Sequence, residues 1–507
     1  MRTWSDNMKR FLSLRAFLIC SLLWGLILGA PCPFKECSCG QTVIMCGDLG
    51  LTAMPQKTIK KNMYFTDLEF VRNNITIITG GSLPANLSNI SFEVNPITTI
   101  EDDAFDGSAD TLTSLSFSGA HFTRLPDAFS HLNVLNFFTI SESIVEDWNE
   151  NAMKHIGPVL GTLSIENIAV KNWPSWLQYF TNLTDLSLGG ASITDIPDNG
   201  LDSMVNTLID LVLNNNNLKA VPKAISKLSA LQLLALDKNK ISNVTWLPQK
   251  SKLRSLSLNG NRLHDSKQLS NAIRPYANSL VEFEIQGNLL TSFPDLNILT
   301  LIDELDFRKN RLVDPNSGSL PPGLSQLKLG SNNLPRLPRF LCTMNSISQL
   351  FVGSNSITEL EAVGFPPHVH GAELENNKLT EITDTSFPEN ASITYILLNN
   401  NPLVRITDNA FKNLQHLVEL QVRNTRLTRL PLALIHLPRL DEFDISDTST
   451  LVCTCVEQSL NDWILSIRPV LVKGTCGETS VYYFYSVMSN DCPNRRNLIE
   501  GEYISGK

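Results

Sequence analysis

The sequence predicts an α/β, mostly β, repeat solenoid built on parallel strands, and three features predict it. A short apolar pattern recurs through most of the chain, four cysteines gather on each side of that region, and an apolar stretch near the first methionine stands apart from both. With 42% hydrophobic and 18% charged residues the chain has the make-up of a folded protein, too apolar and too lightly charged for a disordered one.

Residues 1–30 come first. Arg2, Lys9, Arg10 and Arg15 precede "AFLICSLLWGLILGA", a short apolar run ending in small residues, which is the pattern of a secretory signal peptide. A cut after Ala30 leaves Pro31 first, so a cut after Gly29 competes with it; a retained membrane anchor is the other reading, for which the run is short. Loss of this segment removes four basic and one acidic side chain, taking the formal net charge from -9 to about -12. So acidic a chain argues against nucleic acid or anionic lipid as partner. "VYYFYSVM" at 481–488 is too short to span a bilayer, so the mature chain is expected to have no membrane span and to be secreted and extracellular.

The repeats occupy residues 61–451. "LQLLALDKNKI" (231–241), "LRSLSLNGNRL" (253–263), "LSQLKLGSNNL" (324–334) and "ITYILLNNNPL" (393–403) share the pattern L-x-x-L-x-L-x-x-N-x-L. The first leucine-like residue of L-x-L falls at 68, 90, 115, 138, 163, 186, 211, 234, 256, 283, 305, 327, 350, 372, 396, 420 and 443, about 17 units spaced near 23 residues. One short strand cannot bury its apolar face alone, whereas parallel strands stacked at about 4.8 Å give their inward leucines a continuous core. The prolines and short connections favour turns, 3₁₀ and extended segments over long helices on the return path.

Cys32, Cys37, Cys39 and Cys46 lie in residues 31–60, and Cys453, Cys455, Cys476 and Cys492 in residues 452–493, ahead of a polar tail at 494–507. In a secreted chain each cluster is expected to form two disulfides, with three connectivities open. Zinc is the alternative that "CSC" and "CTC" raise, but neither cluster has the two-residue gap of a zinc knuckle. Cys342 stands alone in "RFLCTMNS", where an apolar residue of the return path is expected, so it reads as a buried, inert thiol.

From about Cys32 to Cys492 these repeats and clusters resemble secreted, animal-type leucine-rich repeat proteins with N- and C-terminal cysteine caps. "FTRLPDAFSHL" (122–132) and "LTRLPLALIHL" (427–437) continue as the longer secreted form of that repeat does. The resemblance implies a curved solenoid with its sheet on the concave side and disulfide caps over both ends. It pairs Cys32 with Cys39, Cys37 with Cys46, Cys453 with Cys476 and Cys455 with Cys492, and it makes Trp463 of "LNDWILSI" the apolar contribution of a short cap helix. It also implies a ladder of buried asparagines that bond backbone groups of neighbouring turns. In "LVLNNNNL" (211–218) only Asn216 takes that inward position; Asn214 and Asn215 belong to the exposed face and Asn217 to the turn. The ladder position reads Ala120, Ser143, Ile168 and Ala191 in succession, and later Thr425 and Thr448. Ser and Thr can still bond backbone groups while Ala and Ile cannot, which predicts that units three to six are less regular or locally bent.

Strand alternation turns the x positions of L-x-L outward. In units three to six these are mostly small: Ser116 and Ser118, Thr139 and Ser141, Ser164 and Glu166, Ser187 and Gly189. From unit ten they become charged or large. Glu282, Glu284, Glu304, Asp306, Glu373 and Glu375 make an acidic field in which Arg308, Lys328 and Arg423 are set, with Phe351, Tyr395 and Leu397 as aromatic and apolar anchors. Interface energy concentrates in such aromatics and arginines, so these twelve residues are the expected partner-binding surface. Asn74, Asn86, Asn89, Asn182, Asn243 and Asn390 begin N-glycosylation triplets; Asn95 is followed by proline and does not. A glycan at Asn86 or Asn89 would shield the N-terminal part of the concave surface.

"HVH" (368–370) offers two imidazoles without a further ligand, too little for a metal site. No G-x-S-x-G, H-E-x-x-H, phosphate loop or dinucleotide fingerprint is present, so no enzyme activity, cofactor or metal is expected. The expected function is recognition of a protein or glycan ligand through the concave face, of the adhesion, signalling or innate-immune type. The alternative is a non-catalytic accessory subunit of an extracellular enzyme complex. The leucine-rich repeat subunit of decapod luciferase is similar in design to this chain at the level of repeats and caps.

Overall fold

The computed structural model describes residues 32–57, 64–170 and 172–492. The signal-peptide reading, the polar tail and part of the boundary at residue 60 lie outside them. The chain divides into two compact units between Ile168 and Ala169. Each is a stack of short parallel strands backed by turns and 3₁₀ segments, the mostly β repeat solenoid that the spacing predicts.

In the first unit, a hairpin pairs Ser38–Cys39 antiparallel with Val43–Gly47. The strands Asp67–Val71, Asn89–Glu93, Ser114–Ser118, Phe137–Ser141 and Thr162–Glu166 follow in parallel. Ile44, Leu68, Ile90, Leu115, Phe138 and Leu163 come into register and are buried. The second inward position carries aromatics that sequence reading treated as ordinary leucine equivalents. Phe70, Phe92 and Phe117 stack with ring centroids 5.5 Å apart and planes inclined by 3° and 10°, and Phe34 of the cap closes the column at 6.0 Å. The disulfides Cys32–Cys39 and Cys37–Cys46 span Cα separations of 5.4 and 4.6 Å.

The second unit opens with the strand Asp185–Gly189, paired with Asp210–Val212. From there the strands shorten to three residues, as in Glu282–Glu284, Tyr395–Leu397 and Glu442–Asp444. On the return path, 3₁₀ turns follow proline at Lys223–Lys227, Arg339–Thr343 and Leu432–His436, because proline fixes an extended entry and donates no hydrogen bond there. The C-terminal cap adds one short parallel strand, Val472–Lys473, beside Glu442–Asp444. Trp463 of the helix Asn461–Leu465 packs edge-on against Phe443 at 5.8 Å. "VYYFYSVM" supplies the helix Val481–Ser486, whose buried Tyr485 donates its hydroxyl to Glu457 at 3.3 Å. Disulfides join Cys453 to Cys476 and Cys455 to Cys492.

The asparagine ladder is present where the sequence places it. Asn216 donates to the carbonyls of Leu188 at 2.7 Å and Leu213 at 3.0 Å and accepts from the amide of Ile193 at 2.9 Å. Asn261, Asn332 and Asn377 repeat this pattern. The residue just before the ladder position adopts a left-handed conformation from repeat to repeat: Arg72, Glu142, Asn215, Lys309 and Asn424, with glycine at 119, 190, 260 and 287. Asn215 is therefore the turn residue, a role asparagine fills at little steric cost, and Asn217 accepts from Lys240.

Two expectations are corrected. Where the ladder lapses, the strands Ser114–Ser118, Phe137–Ser141, Thr162–Glu166 and Asp185–Gly189 are five residues long, longer than most that follow, so strand pairing there is not shortened, which corrects the less-regular half of the expectation and does not bear on a local bend. The ladder residue sits beyond the strand, and backbone bonds alone hold the strand itself. Ser143 also substitutes in part, accepting from the amide of Ala120 at 3.0 Å and donating to the carbonyl of Ser141 at 2.9 Å. The boundary between the two compact units nevertheless falls inside this block. Cys342 is exposed, not buried: the 3₁₀ turn Arg339–Thr343 buries Leu341 and rotates its neighbour outward.

Candidate functional site

All twelve expected partner-binding residues lie in the second unit, within the strands Glu282–Glu284, Glu304–Asp306, Gln326–Lys328, Gln349–Phe351, Gly371–Glu373 and Tyr395–Leu397 or just past a strand end. Register places Glu284 beside Asp306, Asp306 beside Lys328, Lys328 beside Phe351, Phe351 beside Glu373 and Glu373 beside Leu397. Glu282 and Arg423 stand at opposite ends, six strand steps apart, which is roughly 29 Å at the usual strand spacing.

The cations are compensated within the face. Arg308 forms a bidentate pair with Asp306 at 2.9 and 2.5 Å, Lys328 pairs with Glu304, and Arg423 lies 2.9 Å from Asp447 and 3.8 Å from Asp444. Among the described residues, Glu373 and Glu375 have no such cationic partner. Burial, then the charge of Glu375, pushes the Glu373 carboxyl up from its ordinary value. One oxygen of Glu375, Oε2, is buried without a hydrogen-bond partner, and its side chain leans over Gly353, where a Cβ would come within 2.3 Å of its other oxygen. Tyr395 leans over Gly371 in the same way, a Cβ there falling 2.0 Å from its ring, and burial raises its phenol. The two glycines thus let a carboxylate and an aromatic ring lie over the backbone of the preceding strands, on the same sheet as half-buried Phe351.

Sequence reading missed a polar cluster at the N-terminal end of this face. Asp237 is buried and accepts from Ser257 Oγ at 2.5 Å and from the amide of Asn259 at 2.7 Å. Glu284 lies 3.1 Å from the same Ser257 oxygen, whose single proton goes to Asp237, and accepts from Asn259 Nδ2 at 2.5 Å. The signal was the acid and amide in the outward positions of "LALDKN" and "LSLNGN". Burial raises both carboxyls, and Asp237 adds to the effect on Glu284. A carboxyl whose folded value is raised binds its proton more tightly folded than unfolded. Its stabilising contribution is present below the ordinary carboxylate range and is lost as pH rises through the raised value. Asp237→Asn with Glu284→Gln is therefore expected to be more stable than the parent at pH 7, with the gap narrowing towards pH 4, read as the difference in urea midpoints; a gap independent of pH would contradict this.

The six glycosylation asparagines are exposed. Asn89, at the start of its strand, donates to Asp67 at 2.5 Å. Among the described residues, no group of three or more His, Cys, Asp or Glu is placed to hold a metal, and no helix is long and apolar enough to cross a membrane.

Comparison with known proteins agrees with this geometry. A family model described as "Leucine rich repeat" matches residues 391–449, and one described as "BspA type Leucine rich repeat region (6 copies)" matches 52–184 and 98–232. Mouse podocan is 24% identical over 65% of this chain and 66% of its own length; chicken keratocan is 28% identical over 41% of this chain and 60% of its own. The chain thus spans just under two thirds of these relatives. A solved leucine-rich repeat protein of Leptospira interrogans shares the fold, at 20% identity and a TM-score of 0.50, covering 68% of this chain and 92% of that one. With its repeats, its buried asparagines and a disulfide pair closing each end, the chain is an animal-type leucine-rich repeat protein with N- and C-terminal cysteine caps.

Proposed function

We propose that this chain is a secreted, non-catalytic recognition protein that captures a protein partner on the open sheet face of its second unit. The observation that carries this reading is the face itself. Its cations are already neutralised by neighbouring acids, while Phe351, Tyr395 and Leu397 stay half-exposed among unpaired carboxylates across a length too great for a small ligand. A protein covers such a length; an extended glycan is the other ligand that would. Four disulfides favour an oxidising, extracellular setting, and glycans at Asn86 or Asn89 would leave the second unit as the open surface.

The test is affinity capture from the native extracellular fluid on the immobilised chain, followed by surface plasmon resonance with the recovered partner. Phe351→Ala with Tyr395→Ala is expected to weaken that binding by about thirtyfold or more, the scale of truncated interface anchors, about 2 kcal/mol. Undiminished binding would remove this face from consideration. Recovery of a stoichiometric enzyme would identify the partner as catalytic and the chain as its accessory subunit.

A further inference from the structure

Away from the sheet face, a shallow groove of about 300 Å³ opens in the second unit, lined by His370, Ser392, Thr394, His416, Val418 and Arg439. Repeat register builds it. Gly371, Tyr395, Glu419 and Glu442 are Cα partners in successive parallel strands. The residues one position earlier, His370, Thr394, Val418 and Asp441, therefore form one row, and those three positions earlier, His368, Ser392, His416 and Arg439, form a second. Backbone bonds hold the first row in step: the amide of Thr394 donates to His370 at 2.7 Å, that of Val418 to Thr394 at 2.7 Å, and that of Asp441 to Val418 at 2.9 Å. The "HVH" motif, which the sheet face leaves unused, heads both rows.

The lining contains no carboxylate. Asp441, the acid at the end of the first row, faces Arg468 at 3.6 Å instead. Arg439 Nη1 lies 3.1 Å from His416 Nδ1. A guanidinium only donates, so Nδ1 accepts, and the His416 proton is on Nε2 as a second donor. Thr394 donates its hydroxyl to the His370 carbonyl at 3.0 Å, which leaves the hydroxyl oxygen able to accept. In a chain of net charge -9, with an acidic field on its sheet, this groove collects a guanidinium, two imidazoles and two hydroxyls around an exposed apolar Val418.

We propose that the groove binds an acidic glycan, gripping the oxyanion of a sulfate ester or of a uronate carboxylate. Arg439 and His416 donate to the oxyanion, as guanidinium and imidazole N–H groups do most strongly to charged acceptors. Ser392 and Thr394 meet sugar hydroxyls, and Val418 meets the apolar face of the ring. A bare ion would use only the nitrogen donors. The volume stands at the lower end of ligand pockets, enough for one charged sugar unit with the chain of sugars leaving through the open side.

Calorimetric titration of the full chain with a heparin-derived tetrasaccharide, its desulfated and carboxyl-reduced counterpart, an oligogalacturonate and inorganic sulfate tests this. Saturable binding of a charged oligosaccharide is expected, with affinity at least tenfold lower for Arg439→Gln combined with His416→Gln and unchanged for Phe351→Ala combined with Tyr395→Ala. Preference for the sulfated over the uronate-only ligand would identify a sulfate ester as the oxyanion source, and equal binding a carboxylate. Both variants alter surface side chains, and an unchanged thermal melt confirms that they fold. The proposal is overturned if the uncharged oligosaccharide binds equally, if inorganic sulfate alone binds as tightly as the oligosaccharide, if the Arg439 and His416 double variant keeps its affinity, or if no ligand saturates.

Discussion

Replacing Phe92 with alanine is expected to lower the stability of the first unit by about 3–5 kcal/mol, the range for deleting a buried phenylalanine. The ring is fully buried between Phe70 and Phe117, each 5.5 Å away. Its removal leaves a gap in the middle of a column whose members can close up only by moving strands held in register by backbone bonds. Because repeat stability is a sum of unit and nearest-neighbour contributions, the loss is local. Amide exchange should rise in Asp67–Val71 and Ser114–Ser118 before it rises in strands of the second unit. Urea unfolding gives the size of the effect. A shift below about 1 kcal/mol, the scale of well-tolerated hydrophobic swaps, would mean that the column repacks and contributes little.

The repeats, the caps and the inward asparagines were legible because each is a matter of spacing, and spacing survives whatever the neighbours do. The phenylalanine column was not. "LEF", "ISF" and "LSF" satisfy the same apolar pattern as "LVL", and only stacking of successive strands shows that their third residues meet one another. The sheet face was legible as a set of residues but not as a set of pairs. That Arg308 pairs with its strand neighbour Asp306, while Lys328 reaches back a repeat to Glu304, depends on rotamers and register together. Cys342 was misread because one step along a 3₁₀ turn separates a buried position from an exposed one. The edge groove was visible only as "HVH", since its other members come from the next repeats, 22 or more residues on.

Changing Asn216 to alanine is expected to cost at least about 3 kcal/mol, since it strips partners from buried backbone groups that cost about 1–3 kcal/mol each when left unmade. The carbonyls of Leu188 and Leu213 lose a donor, and the amide of Ile193 loses its acceptor. Water cannot replace the amide readily, because the side chain is 5% exposed and Leu188, Ile193 and Leu213 are buried around it. Asn216→Ser should lie between alanine and the parent. Ser143 and Thr448 show that a hydroxyl at this position still bonds the preceding repeat, accepting from the amide of the preceding ladder residue itself, Ala120 at 3.0 Å and Thr425 at 3.3 Å, two residues before the amide equivalent to Ile193. Asn217→Ala, which removes only an exposed contact with Lys240, should change stability by less than about 0.5 kcal/mol. Urea unfolding of the three variants, with the exchange rate of the Ile193 amide as the local readout, separates ladder bonding from loss of side-chain packing. If serine were no better than alanine and the Ile193 amide stayed protected in both, the ladder would be filling space without satisfying the backbone, and the five-residue strands that persist through Ala120 and Ala191 would be the more telling guide to what holds the repeats together.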